Sequence, residues 1–198
     1  MKKICFSDKF GLTALVLSGQ KTMTRRIIRL DSTDEEYLDS AFDWDLREMV
    51  VIDRYAIYKK GETVAIAQPL RDMGYDPNDR SDGHVFGLKH TVAWRNKLFV
   101  SAKECRRFIR ITGLHIERLQ SISDNDIMKE GIRVYEGIGG YGFSYDRLVG
   151  KQNGEPAYKT EIFYSRREAF ASLIDAVSGK GTWNSNPYVF VYEFQLTK

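Results

Sequence analysis

Two clusters of basic side chains are the residues whose chemistry stands out in this sequence. They lie on either side of an acidic segment, residues 31–48. In chain order they are Lys21, Arg25, Arg26 and Arg29, followed by Lys89, Arg95, Lys97, Lys103, Arg106, Arg107 and Arg110. Lysine and arginine side chains contact the phosphate groups of nucleic acids. The net charge is only +3, but this segregation is compatible with a local positive surface; two solvated faces are the alternative.

Aromatic side chains could complete such a surface, because unpaired bases stack on aromatic rings. The candidate stacking residues are Trp94, Tyr141, Phe143 and Trp183. Since most aromatic residues of a domain belong to its core, we expect one or two of these four to be functional. The predicted ligand is RNA or a nucleobase-containing small molecule. The residues predicted to bind it are Lys21, Arg25, Arg26, Trp94, Arg95, Arg106 and Trp183.

No metal or cofactor site is predicted. His84, His90 and His115 are isolated, without the spacing of zinc ligands. The glycine-rich segment EGIGGYGFSYD lacks GK[ST] and a complete GxGxxG, so it does not predict a phosphate loop. Cys5 and Cys105 lie far apart in the sequence, which is typical of reduced thiols in a reducing compartment.

Length and composition predict one globular domain spanning residues 1–198. A family resemblance, given below with its residues, implies an α+β fold with variable inserts near residues 31–46, 71–90 and 135–160. The first residues lack the apolar core of a signal peptide, and no apolar run approaches the roughly 18 residues of a membrane span. We therefore expect a cytoplasmic protein without a membrane partner.

Local signals predict the elements that position the first basic cluster. Ser7 can cap a helix that runs to about Ser18, and Gly19 supplies its left-handed end. Residues 22–29 then alternate as a strand, which places Thr24 and Arg26 on the same face. The acidic segment is expected to form a short exposed helix and a loop. The runs EMVVI and YAIYKKGETVAIA are expected to be hairpin-like strands, with Gly61 in the turn.

Further along the chain, residues 71–87 are expected to be irregular and residues 107–119 to form a strand with a bulge at Gly113. Ser123 can cap a short helix that ends at Gly131. The glycine- and tyrosine-rich insert is expected to be a flexible flap. Ser165 opens an amphipathic helix, and the run YVFVYEFQL is a closing strand.

The segment GQKTMTRR contains the pattern G-x-K-x-x-x-x-R at Gly19, Lys21 and Arg26, and it resembles the signature of the ASCH family in the PUA-like superfamily. Further blocks resemble the longer phage and bacterial type of this family: YKKGETVAIA, the pair Trp94-Arg95, ERLQSISDNDIMKEGI and WNSNPYVFVYEF. The resemblance implies a small mixed or antiparallel β-barrel flanked by helices. It also implies a cleft that the G-x-K segment faces, and nucleic-acid or nucleotide-related binding.

One small bacterial branch of the family is an amidohydrolase that acts on N4-acetylcytidine. The resemblance to that branch places its working lysine, threonine and glutamate at Lys21, Thr24 and Glu130. A threonine hydroxyl needs a base to become a nucleophile, and nearby Arg25 and Arg26 would help Lys21 serve as one by lowering its pKa. This chain departs from related long members at residues 67–68, where Ala-Gln replaces their usual Arg-Glu pair.

Three functions therefore remain open: an RNA-binding module, a hydrolase acting on a modified nucleoside, and a non-enzymatic interaction domain. Affinity that falls steeply with salt favours the first. Turnover that depends on Lys21 and Thr24 favours the hydrolase. A protein with neither salt-dependent RNA binding nor turnover would be a non-enzymatic interaction domain.

Overall fold

The computed structural model describes residues 1–40, 43–81, 87–137, 140–152 and 155–197. The described strands are β1 Lys3–Ile4, β2 Met23–Ile27, β3 Thr63–Ile66, β4 Phe108–Arg118, β5 Arg133–Gly137, β6 Gly140–Gln152, β7 Glu155–Phe163 and β8 Tyr188–Leu196. The described α-helices are α1 Leu12–Leu17, α2 Ser32–Asp39, α3 Trp44–Tyr55, α4 Asp124–Lys129, α5 Arg166–Ser178 and α6 Thr182–Ser185. Short 3₁₀ helices lie at Asp8–Phe10, Leu70–Met73, Leu88–His90, Val92–Trp94, Lys97–Phe99 and Leu119–Ser121.

A five-stranded mixed sheet forms the centre of the fold, with the strand order β1-β3-β4-β8-β2. The β1–β3 pair is parallel and the other pairs are antiparallel. A second, antiparallel sheet has the order β5-β6-β7. Helices and two sheets together confirm the α+β class.

The sheet is not a closed barrel: among the described residues no strand pairing joins β1 to β2. The two edges nevertheless face each other, because the Arg26 guanidinium donates a hydrogen bond of 2.6 Å to the carbonyl of Cys5, directly after β1. Side chains from both edges line a cavity in this gap. A side-chain bridge and a cavity thus stand where a closed barrel would have strand-to-strand hydrogen bonds.

Strand β8 runs through the core and is buried along most of its length. Nearly every residue from Tyr188 to Phe194 is shielded from solvent, and the exception is the partly buried Glu193. A strand covered on both faces is expected to be apolar throughout rather than alternating. The main core therefore joins β8 to residues of the first strand, such as Ile4, and of helix α5, such as Phe170. Burial of these side chains is the main stabilising contribution to the sheet.

The run EMVVI lies inside helix α3, so its prediction as a strand is wrong. The Asp43 carboxylate accepts a hydrogen bond from the amide of Leu46 and caps the helix. Arg47 and Val51, four residues apart, are the buried positions on its inner face. The helical spacing of these contacts outweighs the strand propensity of the β-branched residues. Only Thr63–Ile66 of the second run forms a strand, and Gly61 occupies the turn before it with φ +86°.

The glycine- and tyrosine-rich insert was expected to be a flap, but its described residues form strands β5, β6 and β7. Phe143 and Tyr145 on β6 are buried, which anchors this sheet to the main core. Tyr145 stacks on Phe163 of β7 at a centroid distance of 5.7 Å. Tyr145 of the segment expected to be a flap is thus a core residue, whereas Tyr141 is exposed.

Three predicted helix ends and the predicted β-bulge are confirmed. Gly19 is left-handed after α1, with φ +77°. Ser123 and Ser165 cap α4 and α5 by accepting amide hydrogen bonds from Asp126 and Glu168. The bulge predicted at Gly113 is a register shift in the β4–β8 pair. Within the described ranges, none of the helices is long and apolar enough to cross a bilayer.

Candidate functional site

The candidate site is a cavity of about 580 Å³ between the two edges of the main sheet. One wall is strand β2 and the opposite wall is the chain that follows β1. Helix α5 supplies a third, apolar wall. The lining includes Lys3, Cys5, Phe6, Ser7, Leu12, Lys21, Thr24, Arg25, Arg26, Ile27, Arg29, Ile57, Tyr58, Glu130, Phe170, Leu173, Ile174, Val177 and Ser178. Sites for small ligands commonly enclose 300–1,000 Å³, so this cavity has the size of such a site.

Lys21 and Glu130 form a buried ion pair at this cavity. The Lys21 Nζ donates hydrogen bonds of 2.6 Å to the carboxylate Oε2 of Glu130 and 2.6 Å to its main-chain carbonyl. Their side chains are only 2% and 6% exposed. Glu130 follows helix α4, and Gly131 then adopts φ +105°. A Cβ at Gly131 would lie 3.0 Å from a methyl group of Leu15, so glycine permits this close approach of α4 to α1.

The burial of Lys21 changes its acidity. Desolvation lowers the pKa of the Lys21 ammonium below its ordinary value of 10.5, and the nearby Arg26 and Arg25 act in the same direction. The Glu130 carboxylate opposes them but does not reverse the shift. The two arginines were expected to have this effect, and the structure adds burial as the larger cause. A lysine whose pKa is lowered is neutral, and so able to take a proton, at a lower pH than a lysine on the surface.

The Arg25 side chain is fully shielded from solvent, although this residue was expected to contact a ligand. Its guanidinium donates 2.7 Å to Glu117 and 3.1 Å to Glu130, and it lies 3.7 Å from an oxygen of Asp126. These contacts hold the guanidinium within the protein, although its buried Nη2 makes no hydrogen bond to the described residues. The side chain of Arg25 therefore orients Glu130 toward Lys21 rather than reaching into the cavity.

Thr24 and Arg26 lie on the same face of β2, as the alternation predicted, and both line the cavity. The Arg26 guanidinium also lies over the Phe6 ring at 5.9 Å. Within the described residues, the Thr24 hydroxyl has no hydrogen-bond partner although Thr24 is only 5% exposed. A buried hydroxyl at a cavity wall is available to a ligand.

Lys21, Thr24, Arg26 and Glu130 are thus brought together from β2, its preceding loop and the end of α4, as the sequence analysis expected. The structure adds an apolar wall, formed by residues of α5 that were expected to be ordinary core. Its α5 residues Phe170, Leu173 and Ile174 have the spacing of any apolar stripe that packs into a core. No sequence signal therefore distinguished a cavity wall from ordinary core. Tyr58 also lines the cavity, and burial raises the pKa of its phenol to about 12.

Four residues expected to bind the ligand lie elsewhere: Trp94, Arg95, Arg106 and Trp183 do not line this cavity. Trp94 packs against a second, smaller core cluster. The Arg106 guanidinium stacks over Tyr75 at 4.1 Å and donates to the carbonyl of Met73. Trp183 contacts Phe170 edge-on at 6.0 Å, behind the cavity wall. Arg95 is the residue at the C-terminal end of the 3₁₀ helix Val92–Trp94.

The remaining candidate aromatic residues also lie outside the cavity lining. Tyr141 is 61% exposed and packs edge-on against Phe143 within the second sheet. Among the described residues, no group of three or more histidine, cysteine, aspartate and glutamate side chains is arranged to hold a metal ion. His84 lies outside the described residues. A hydrogen bond to Glu117 raises the pKa of His115.

Comparisons of the chain with protein-family models, curated proteins and solved structures found no match. The interpretation of the cavity therefore rests on its own residues and geometry.

The position of Lys21 predicts an unusual titration. We expect its ammonium to lose a proton at a pH below the ordinary lysine value of 10.5. In Arg26→Gln, removal of one neighbouring cation should raise the Lys21 pKa toward that value, whereas Arg110→Gln, on the exposed surface of β4, should leave it unchanged. NMR titration of side-chain-labelled lysine measures both effects. A Lys21 pKa at or above 10.5 in the wild type would contradict the burial argument.

Proposed function

We propose that this cavity binds a nucleobase-containing small molecule, and that the chain is an ASCH-type domain of the PUA-like superfamily. The observation that carries the proposal is the convergence of Lys21, Thr24, Arg26 and Glu130 on one cavity of ligand size. The G-x-K segment faces this cavity, which is where the family resemblance places it. The curved mixed sheet, with its two edges bridged by Arg26, is compatible with an opened PUA-like barrel.

The lining suits a nucleobase because it combines polar and apolar walls. Apolar side chains from α5 can cover the faces of a planar ring, while Thr24 and Arg26 offer hydrogen bonds to its polar atoms. The members Arg95 and Arg106 of the second basic cluster lie outside the lining, so they do not extend this cavity into a track for a nucleic-acid strand. For this reason we favour a nucleoside-sized ligand over a long RNA.

Calorimetric titration with cytidine and N4-acetylcytidine tests the binding proposal. Removal of a charge-assisted hydrogen-bond donor costs on the order of 1.5–3 kcal/mol, so Arg26→Gln should weaken binding about tenfold or more. Arg110→Gln is the matched control, because Arg110 is exposed on β4 and does not line the cavity. If neither nucleoside binds the wild type, or if both variants lose the same affinity, the proposal fails.

The same titration with single-stranded RNA separates the three functions. RNA affinity that falls steeply with salt and is equally reduced by Arg26→Gln and Arg110→Gln would indicate a surface interaction with phosphates instead. A protein that binds neither RNA nor nucleosides would be a non-enzymatic interaction domain of another kind.

A second candidate function, hydrolysis of an acylated nucleoside, is favoured by the ion pair itself. A buried lysine of lowered pKa and a buried threonine hydroxyl line the same cavity, and these are the two groups that nucleophilic amide cleavage needs. The resemblance to the N4-acetylcytidine amidohydrolases involves the same Lys21, Thr24 and Glu130.

In this mechanism, the neutral Lys21 amine takes the proton of the Thr24 hydroxyl as its oxygen attacks the acyl carbonyl. The carbon–nitrogen bond of the amide then breaks, and the proton passes to the departing exocyclic nitrogen. Water hydrolyses the resulting threonine ester, which releases a carboxylic acid and restores the hydroxyl. Glu130 holds the Lys21 nitrogen at the cavity by accepting its 2.6 Å hydrogen bond.

A further inference from the structure

Strand β2 has an open edge. It pairs with β8 on one side, and in the described part of the chain no strand pairs with its other side. An unpaired strand edge presents a row of main-chain N–H and C=O groups that can hydrogen-bond another molecule. The groups free for such a bond are the N–H and C=O groups of β2 that point away from β8.

Two hydrogen bonds at the ends of β2 show which of its main-chain groups face β8 and which point away. The amide of Phe194 donates to the carbonyl of Thr22 at 2.9 Å, and the amide of Ile28 donates to the carbonyl of Tyr188 at 3.0 Å. In an antiparallel pair, residues bonded to the partner alternate with residues whose main-chain groups point away. Between Thr22 and Ile28, the groups of Arg25 and Ile27 therefore point away from β8.

These outward main-chain groups face the cavity. Arg25 is among its lining residues and is 5% exposed as a whole, yet its side chain is 0% exposed. The part of Arg25 that lines the cavity is therefore its main chain. Ile27, two residues along the same edge, lines the cavity as well. Within the described residues, no hydrogen bond from another part of the chain reaches the main-chain groups of these two residues on that side.

We propose that the free main-chain groups of Arg25 and Ile27 recognise the hydrogen-bonding edge of the nucleobase. This inference rests on the proposed function and deepens it, because it names the part of the ligand that is read. The N–H and C=O of one strand residue place a donor beside an acceptor. The Watson–Crick edge of a base also presents neighbouring donors and acceptors, and proteins read unpaired bases at that edge.

An extended peptide could in principle pair with the same edge by adding a strand. The geometry disfavours it, because the 2.6 Å hydrogen bond from Arg26 to the Cys5 carbonyl crosses the gap beside β2. An added strand would have to displace this bridge. A planar base can instead lie within the enclosed volume of about 580 Å³.

Ile27→Pro tests the inference because proline removes the Ile27 N–H and no other hydrogen-bond donor. Proline is tolerated in an edge strand where the lost N–H points away from the sheet, and it keeps the preceding residue extended. Ile27 is 39% exposed, so little core packing is lost. Ile27→Val keeps the N–H and the β-branched shape and is the matched control.

We expect Ile27→Pro to weaken binding of N4-acetylcytidine or cytidine at least fivefold in calorimetry, because the base loses a donor it needs. Ile27→Val measures what the side chain alone contributes, and the loss of affinity in Ile27→Pro should exceed the loss in Ile27→Val at least fivefold. The melting temperature of both variants should stay near that of the wild type. In the free protein, the Arg25 and Ile27 amides should exchange with deuterium faster than those of Thr24 and Arg26, since the latter two are bonded to β8.

Wild-type binding that Ile27→Pro leaves unchanged would overturn this inference and leave the proposed function standing. Slow exchange of the Ile27 amide in the free protein would also overturn the inference alone, because that group would already be bonded. A wild type that binds neither nucleoside would overturn the proposed function. The inference about the β2 edge would then fail as well.

Discussion

Replacement of Glu130 by alanine is expected to lower the free energy of unfolding by about 3–5 kcal/mol, which is the usual cost of removing one partner from a buried ion pair. The Glu130 carboxylate neutralises two buried cations, with contacts of 2.6 Å to Lys21 and 3.1 Å to Arg25. Without it, the Lys21 ammonium, whose side chain is only 2% exposed, loses its carboxylate partner, while Arg25 keeps its contacts to Glu117 and Asp126. Urea denaturation of the wild type and the variant measures the difference.

Glu136→Ala is the control for this prediction, because Glu136 is an exposed glutamate on β5 and its removal should change stability by no more than about 0.5 kcal/mol. The double variant Lys21→Met/Glu130→Ala should recover part of the loss, since it also removes the buried ammonium that Glu130→Ala leaves without a carboxylate. A loss for Glu130→Ala as small as that for Glu136→Ala would show that the ion pair does not stabilise the fold.

Under the proposed hydrolase function, replacement of Thr24 by valine is expected to reduce hydrolysis of N4-acetylcytidine by at least about a thousandfold, as is typical when a catalytic nucleophile is removed. Valine keeps the β-branched shape of threonine and its preference for strands, so β2 should stay folded. Nucleoside affinity should fall by less than about tenfold, since a neutral hydrogen bond contributes about 1 kcal/mol. Chromatographic measurement of released cytidine gives the rate.

Thr22→Val is the matched control, because Thr22 precedes β2 and does not line the cavity. It should retain the wild-type rate. Unchanged hydrolysis in Thr24→Val would exclude Thr24 as the nucleophile. Binding without any turnover in the wild type would remove the hydrolase candidate and leave the binding function.

Local sequence signals predicted most of the elements around the site. Gly19, Ser123 and Ser165 lie at helix ends, where the conformation depends on a few neighbouring residues, and all three predictions hold. The strand after Lys21 was predicted from the alternation of its side chains, which also depends on neighbours alone. The meeting of Lys21, Thr24 and Glu130 came instead from the family resemblance, because residues 109 positions apart cannot be placed together by local pattern.

Two predictions were wrong where the structure of the segment depends on contacts with distant residues. The run EMVVI has strand propensity, but Val51 packs into the core from a helix. The tyrosine-rich insert was expected to be a flap because its glycines favour irregular structure, yet Phe143 and Tyr145 are buried in a packed sheet. In both cases burial against another element outweighed the local preference.

Local sequence determined the helix ends at Gly19, Ser123 and Ser165 and the strand that carries Thr24 and Arg26, because each follows from propensity and spacing over a few residues. Tertiary structure alone decided that β2 is an edge strand, that the Arg25 side chain is buried among carboxylates, and that α5 forms a cavity wall. The physical reason is that burial and strand order depend on which distant segments pack together. Those contacts determine the pKa of Lys21 and the main-chain groups that a ligand can reach.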